Sequence, residues 1–215
     1  IRDRIKNVLF DFDDTLVDTF NSKIPAIIEY CATVHGTSIT ADQVRSLLGI
    51  PFGEMMRSLT NSQEIDTQRY LEISQRHPLY PFPESKGVLE ALQSRFQVGI
   101  VTSLSRPVLV HSLNVLGWNT IPFATLVAEG GAPAHKPDPR VFEPAIQALG
   151  SPQPHEILYI GDALTDAQAA TQAGLRFIGV GRDPQRQAAF TQGGYEWRSS
   201  LSDITRTVRP RELHP

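Results

Sequence analysis

Residues 8–15 read Val8-Leu9-Phe10-Asp11-Phe12-Asp13-Asp14-Thr15, an apolar run that stops abruptly at three acids and a hydroxyl. A hydrophobic segment of this length before turn-forming residues reads as a buried strand, and its carboxyl end opens into the crevice where open α/β sheets bind ligands. The acids alone have a second reading, because Asp is common where strands end and Asp14-Thr15 can cap the next segment. The rest of the chain decides between the two.

Immediately after this stretch the pattern turns helical. Ile24, Ile27, Ile28 and Cys31 recur at helical spacing, Pro25 fits a first turn, and Gly36 marks a stop. Thr40-Ala41-Asp42-Gln43 before Val44, Leu47 and Leu48 has the form of a capping box opening a second helix. Gly49-Ile50-Pro51-Phe52-Gly53 is a turn with an apolar tip, and further helical segments lead to a linker punctuated by Pro78, Pro81 and Pro83. Residues from about 18 to 80 therefore read as consecutive helices inserted after the first strand. From Lys86 onward strands and helices alternate: Val98–Val101 ending at Thr102-Ser103, Phe123–Val127, Ile157–Ile160 ending at Gly161-Asp162, and Arg176–Val180, which completes the series. Such alternation implies right-handed crossovers and a doubly wound parallel sheet, an α/β fold. The tail TRTVRPRELHP reads as partly ordered at most.

Bulk properties narrow the function classes. The 215 residues suffice for one domain carrying an insertion; 40% are hydrophobic and 20% charged, as in an ordinary globular protein. A formal net charge of -3 argues against a nucleic-acid binder acting through a broad basic surface. The lone Cys31 excludes an internal disulfide framework and reads as a small buried apolar residue on a helix. With neither a membrane-length apolar run nor a signal-peptide pattern in IRDRIKN, the expectation is a cytoplasmic protein without a membrane partner.

Three of the expected strands end in polar residues that share one rim: Asp11 and Asp13, Thr102 and Ser103, then Asp162 with Asp166. Clustered carboxylates repel unless a cation neutralises them, and an open oxygen-rich site suits Mg²⁺, which keeps waters and accepts phosphate oxygens. Asp11 and Asp13, two apart, allow one carboxylate to attack while the next gives or takes a proton, as covalent phosphoryl transfer through an acyl phosphate requires. Thr102 and Ser103 precede a helix whose free amides, with a hydroxyl, would cradle phosphate; equally, Thr102 or Ser105 merely caps that helix. Lys136, in His-Lys-Pro-Asp-Pro, is either a solvated charge or a group that stabilises a transferring phosphoryl. Asp162 and Asp166, four apart, are acids suited to a helix N-terminus, and Asp162 also reaches the rim.

Taken in order, DFDDT, VTS, the Lys of HKPDP and GDALTD resemble the four motifs of the haloacid dehalogenase (HAD) superfamily, over about residues 5 to 170. The resemblance implies a Rossmann-like core, residues 1–17 and 82–215, with a helical cap, residues 18–81. It implies Asp11 as nucleophile, Asp13 as general acid/base, and Thr102, Ser103 and Lys136 as phosphoryl binders. It also implies Mg²⁺ held among Asp11, Asp13, Asp162 and Asp166, with Asp166 binding the metal, orienting Lys136 or acting through a neighbour. Asp13 is the aspartate that dehalogenases of the superfamily lack, which favours phosphate chemistry. Among capped members the chain looks most like phosphoglycolate phosphatases, with β-phosphoglucomutases next. The mutase pattern places a histidine and an arginine where this chain has Lys23 and Phe52, and Asp14 replaces the common glycine and is expected to point away from the metal. The implied activity is Mg²⁺-dependent hydrolysis of a small phosphorylated metabolite; the alternatives are a phosphomutase and a non-catalytic binding module.

Overall fold

The computed structural model of the protein describes residues 5–47 and 50–208. Leu48 and Gly49, expected to end the second helix and open the apolar turn, lie outside the described residues, as does the tail after residue 208. The central strand β1 (Asn7–Phe10) is buried along its whole length and pairs in parallel with β2 (Gln97–Ser105) on one side and β4 (Ile157–Gly161) on the other. With β3 (Thr125–Glu129), β5 (Arg176–Val180) and β6 (Trp197–Arg198), the sheet runs β3-β2-β1-β4-β5-β6, all pairings parallel. The order reverses beside β1, so the carboxyl ends of β1 and β4 diverge into the crevice that doubly wound sheets use for ligands.

Alternation along each strand sorts side chains to two buried faces, which is why the strands read as unbroken apolar runs. Val8, Phe10, Val98, Ile100 and Ile160 enter one core, while Leu9, Val101, Ile157 and Tyr159 enter the other with Phe142, Ala169 and Ala170. The covering helices are α6 (Ser85–Gln93), α7 (Arg106–Val115), α8 (Glu143–Ala148) and α9 (Leu164–Gln172), with 3-10 turns at Pro139–Phe142 and Pro154–Glu156. Sequence periodicity stops at β5, but the chain continues through α10 (Pro184–Gln192), β6 and α11 (Leu201–Thr207). Strand β6 has two residues, too few for a period, and α10 buries only Phe190.

Between β1 and α6 the described residues form the helices α1 (Thr19–Ser22), α2 (Ile24–His35), α3 (Ala41–Arg45), α4 (Phe52–Thr60) and α5 (Thr67–Ser74). Pro25 stands in the first turn of α2, and Gly36 ends it with φ of 65° in the left-handed region. Thr40 and Gln43 form the expected reciprocal cap of α3. Cys31 is buried on α2. The chain leaves and re-enters the sheet through paired backbone: Asp18 N–H donates to Tyr80 C=O at 2.8 Å, and Phe82 N–H to Leu16 C=O at 3.1 Å. Among the described residues no helix is long and apolar enough to cross a membrane.

Candidate active site

The strand β1 ends one residue before Asp11, whose N–H still donates to Ile160 C=O at 2.8 Å and so fixes the carboxylate between the β1 and β4 ends. The chain then turns sharply: Leu16 N–H returns to Phe12 C=O at 2.9 Å, and Asp14 adopts φ of 54°. Asp13 is thereby aimed toward the helical insertion, where its Oδ1 accepts from Thr19 Oγ1 at 2.8 Å and pairs with Lys23 Nζ at 2.5 Å. Strand β4 ends in Gly161, where any side chain would run into Asp166. Asp162 follows, and Asp166, in the first turn of α9, accepts the Ala163 N–H at 3.1 Å.

Lys136 ties these pieces together from the loop after β3. Its ammonium donates to Asp11 Oδ1 and Asp166 Oδ1, both at 2.7 Å, and to the Tyr159 hydroxyl at 2.9 Å, with the lysine only 6% exposed. Tyr159 in turn donates to Val101 C=O at 3.0 Å, which links β4 to β2. Strand β2 runs on to Ser105, so Thr102 is buried within it, three residues before its end, its hydroxyl accepting the Leu104 N–H at 3.3 Å. Ser105 precedes α7 without a side-chain cap, and its buried hydroxyl has no hydrogen-bond partner among the described residues. All seven residues expected at the site, Asp11, Asp13, Thr102, Ser103, Lys136, Asp162 and Asp166, line one cavity of about 340 Å³.

Burial sets the electrostatics of this floor. It pushes the Asp11 carboxyl up to about 7, against the pull of Lys136 and with repulsion from Asp166 and Asp13 adding to the rise. Asp162 is raised well above the carboxylate range by burial and by Asp11, Arg186 opposing. Burial disfavours the charged form of Lys136, yet Asp11 and Asp166 outweigh it and raise its pKa. Acids that protein cations leave under-neutralised suit a divalent cation. Asp11, Asp162 and Asp166 can each offer one oxygen, all within 4.8 Å of one another, and this hard oxygen donor set fits Mg²⁺. The Asp13 carboxylate stands outside that group of three, taken up by Thr19 and Lys23, and Asp14 stands outside it as well, on Thr19 and Arg186.

Several residues of the cavity were not read from the sequence. Arg186 donates through Nε to Asp162 Oδ2 at 3.0 Å and through Nη2 to Asp14 Oδ2 at 2.8 Å. A signal for it exists: Asp183-Pro184 is an N-cap followed by a first-turn proline, which announces α10 and puts Arg186 in its opening turn beyond β5. Arg45 and Ile50 line the other wall with Phe52 and Met55. Phe52 is buried at the start of α4 against Tyr70, ring centroids 5.0 Å apart.

A doubly wound parallel sheet with an all-helical insertion after its first strand, and with acids and a buried lysine converging at the strand ends, defines a Rossmann-like hydrolase of the HAD type. The family model for haloacid dehalogenase-like hydrolases matches residues 8–180, and the chain belongs to that family. It is 26% identical over 181 residues to pyrophosphatase PpaX of Oceanobacillus iheyensis, covering 82% of this chain and 83% of that protein. It is 28% identical over 193 residues to a phosphoglycolate phosphatase of Rhodobacter capsulatus, covering 80% and 82%. Among solved structures, CbbY from Rhodobacter sphaeroides in complex with phosphate shares the fold with a TM-score of 0.74 at 21% identity, over 93% of this chain and 96% of that one.

Proposed function

We propose that the protein is a Mg²⁺-dependent phosphatase that hydrolyses a small phosphorylated metabolite through a phosphoryl group carried on Asp11. The single observation that carries this reading is Lys136, buried and 2.7 Å from both Asp11 and Asp166, beside Asp162 on the floor of the cavity. Because Lys136 holds Asp11 Oδ1, Oδ2 is the oxygen left to attack phosphorus. Asp11, Asp162 and Asp166 would hold the Mg²⁺, which supplies charge neutralisation for the phosphoryl oxygens. Lys136 adds a fixed positive charge at the same place, and Thr102 and Ser103 line the phosphoryl pocket.

Asp13 protonates the leaving oxygen and then takes a proton from the water that hydrolyses the acyl phosphate. Its pairing with Lys23 and Thr19 fixes the carboxylate through the first residues of the helical insertion. The insertion, residues 18–81, acts as a cap that excludes bulk water during the acyl-phosphate step. Pyrophosphatase and phosphoglycolate phosphatase relatives support a small phosphate substrate.

The test is Asp11→Asn in purified protein assayed with Mg²⁺ on a panel of phosphorylated metabolites. Inorganic phosphate release is expected to vanish while the circular dichroism spectrum is retained. A mutant that still turns over like the wild type would refute the Asp11 mechanism.

A further inference from the structure

Asp14 occupies a left-handed backbone position, φ 54°, that favours glycine, so its side chain must offset a local strain. Its Oδ1 accepts the Thr19 N–H at 2.9 Å, and its Oδ2 accepts Arg186 Nη2 at 2.8 Å. The same guanidinium places Nε and Nη2 each 3.0 Å from Asp162 Oδ2, and Nη1 2.6 Å from Asp183 Oδ2. Asp183 also caps α10 by accepting the Arg186 N–H at 2.9 Å, so Arg186 is pinned at both its backbone and its head group. One planar fork thus serves three carboxylates, a geometry that a flexible ammonium does not reproduce.

We propose that Arg186 is a positioning residue that restricts Asp162 to one-oxygen ligation and so makes the site select Mg²⁺ over Ca²⁺. The inference rests on reading the acid cluster as a Mg²⁺ site. Asp162 Oδ2 accepts the Nε–H of Arg186 at 3.0 Å and lies 3.0 Å from its Nη2, whereas among the described residues Oδ1 receives the Thr15 hydroxyl, at 3.4 Å. Oδ1 is therefore the oxygen that can turn to a cation. Mg²⁺ demands near-octahedral geometry and is satisfied by one oxygen from each carboxylate, whereas the larger Ca²⁺ takes more ligands and accepts bidentate carboxylates. A guanidinium locked on Oδ2 denies Ca²⁺ the second oxygen and leaves the Mg²⁺ mode intact. Repulsion between Arg186 and a divalent ion weakens both ions alike, so it changes both affinities and cancels in their ratio. Asp14 stabilises the fork from its far side, which gives this acid a use at a position that otherwise favours glycine.

The experiment is calorimetric titration of the EDTA-stripped, dialysed full chain with MgCl₂ and with CaCl₂. Wild type, Arg186→Ala, Asp14→Gly and Arg186→Lys are compared through the ratio of Ca²⁺ to Mg²⁺ dissociation constants. Arg186→Ala is expected to lower the ratio about tenfold, and Asp14→Gly about threefold with the backbone relaxed. Arg186→Lys, which keeps the charge but loses the fork, is expected to lower the ratio nearly as far as alanine does. If Arg186→Ala fails to fold, Asp14→Gly carries the decision. A wild-type protein that binds Mg²⁺ while the folded variants keep its ratio within about twofold overturns the role of Arg186 alone. A wild-type protein that binds neither ion overturns the metal reading as well.

Discussion

The floor and the roof of the cavity are built by different physics. On the floor, at the carboxyl ends of β1 and β4, Asp11 and Asp166 are buried and share the Lys136 ammonium, and Asp162 beside them is held by Arg186. On the roof, Ile50, Phe52 and Met55 present apolar surface, and Arg45 lies with its guanidinium 4.2 Å from the Phe20 ring centre. Floor residues are held by partners, so removing one leaves the others as uncompensated charge in a poorly solvated place. Roof residues are held by packing, so their identity can change at a cost in fit while the floor continues to function. The difference separates what the site does from what it accepts.

The largest effect that tests this contrast is expected from Lys136→Met. The substitution keeps much of the side chain's length but leaves Asp11 and Asp166 without their common cation. Breaking a buried pair in this way costs about 3–5 kcal/mol, and turnover should vanish as well. Urea denaturation together with a phosphate-release assay measures both. A Lys136→Met protein as stable as the wild type would mean that the floor is not electrostatically interdependent, and the contrast with the roof would collapse.

Phe52→Ala should act on the other side of the contrast. Truncating this buried ring against Tyr70 removes packing worth about 3 kcal/mol, the lower end for Phe-to-Ala changes in a core. Turnover of a minimal ester should survive, while the spread of kcat/KM across a substrate panel narrows. Unchanged selectivity would move the choice of substrate away from this wall.

The same contrast explains how much of the molecule was legible. The parallel sheet and the helical insertion could be read because buried strands and amphipathic helices write their periods into the chain, as in Val8–Phe10 and Ile24–Cys31. The gathering of the seven expected residues could be read because strand ends and helix first turns bring particular positions to one rim, and all seven line one cavity, although the Asp13 carboxylate stands outside the group of acids that can hold a cation. The partners that hold those residues from outside the set were not legible. Lys23 reaches Asp13 from ten residues away around a turn, and Arg186 reaches Asp162 across 24 positions. Neither spacing corresponds to a helical or strand period. Segments α10 and β6 were missed for a related reason, since a mostly exposed helix and a two-residue edge strand bury too little to impose a pattern.

A contact between β3 and α4 ties the sheet to the roof, and it supports the smallest of these expectations. Glu129, at the end of β3, accepts the Gly53 N–H with both carboxylate oxygens, at 3.0 and 2.9 Å. Gly53 lies in the first turn of α4, where exposed amides and the helix dipole favour an anion. A β-carbon at Gly53 would stand 3.0 Å from Glu129 Oε1, so a larger residue there would require the carboxylate to shift by a few tenths of an ångström. Glu129→Ala removes a charge-assisted bond worth about 1.5 kcal/mol, without touching the acids or the lysine of the floor. If the two walls separate by local opening, the Gly53 amide should exchange with deuterium about tenfold faster in this variant. The amides around Asp11 and Asp162 should keep their wild-type rates. Equal acceleration at Gly53 and at Asp11 would mean that floor and roof open as one unit, and the separation of chemistry from selection would then lie in residue type alone, with no independent motion behind it.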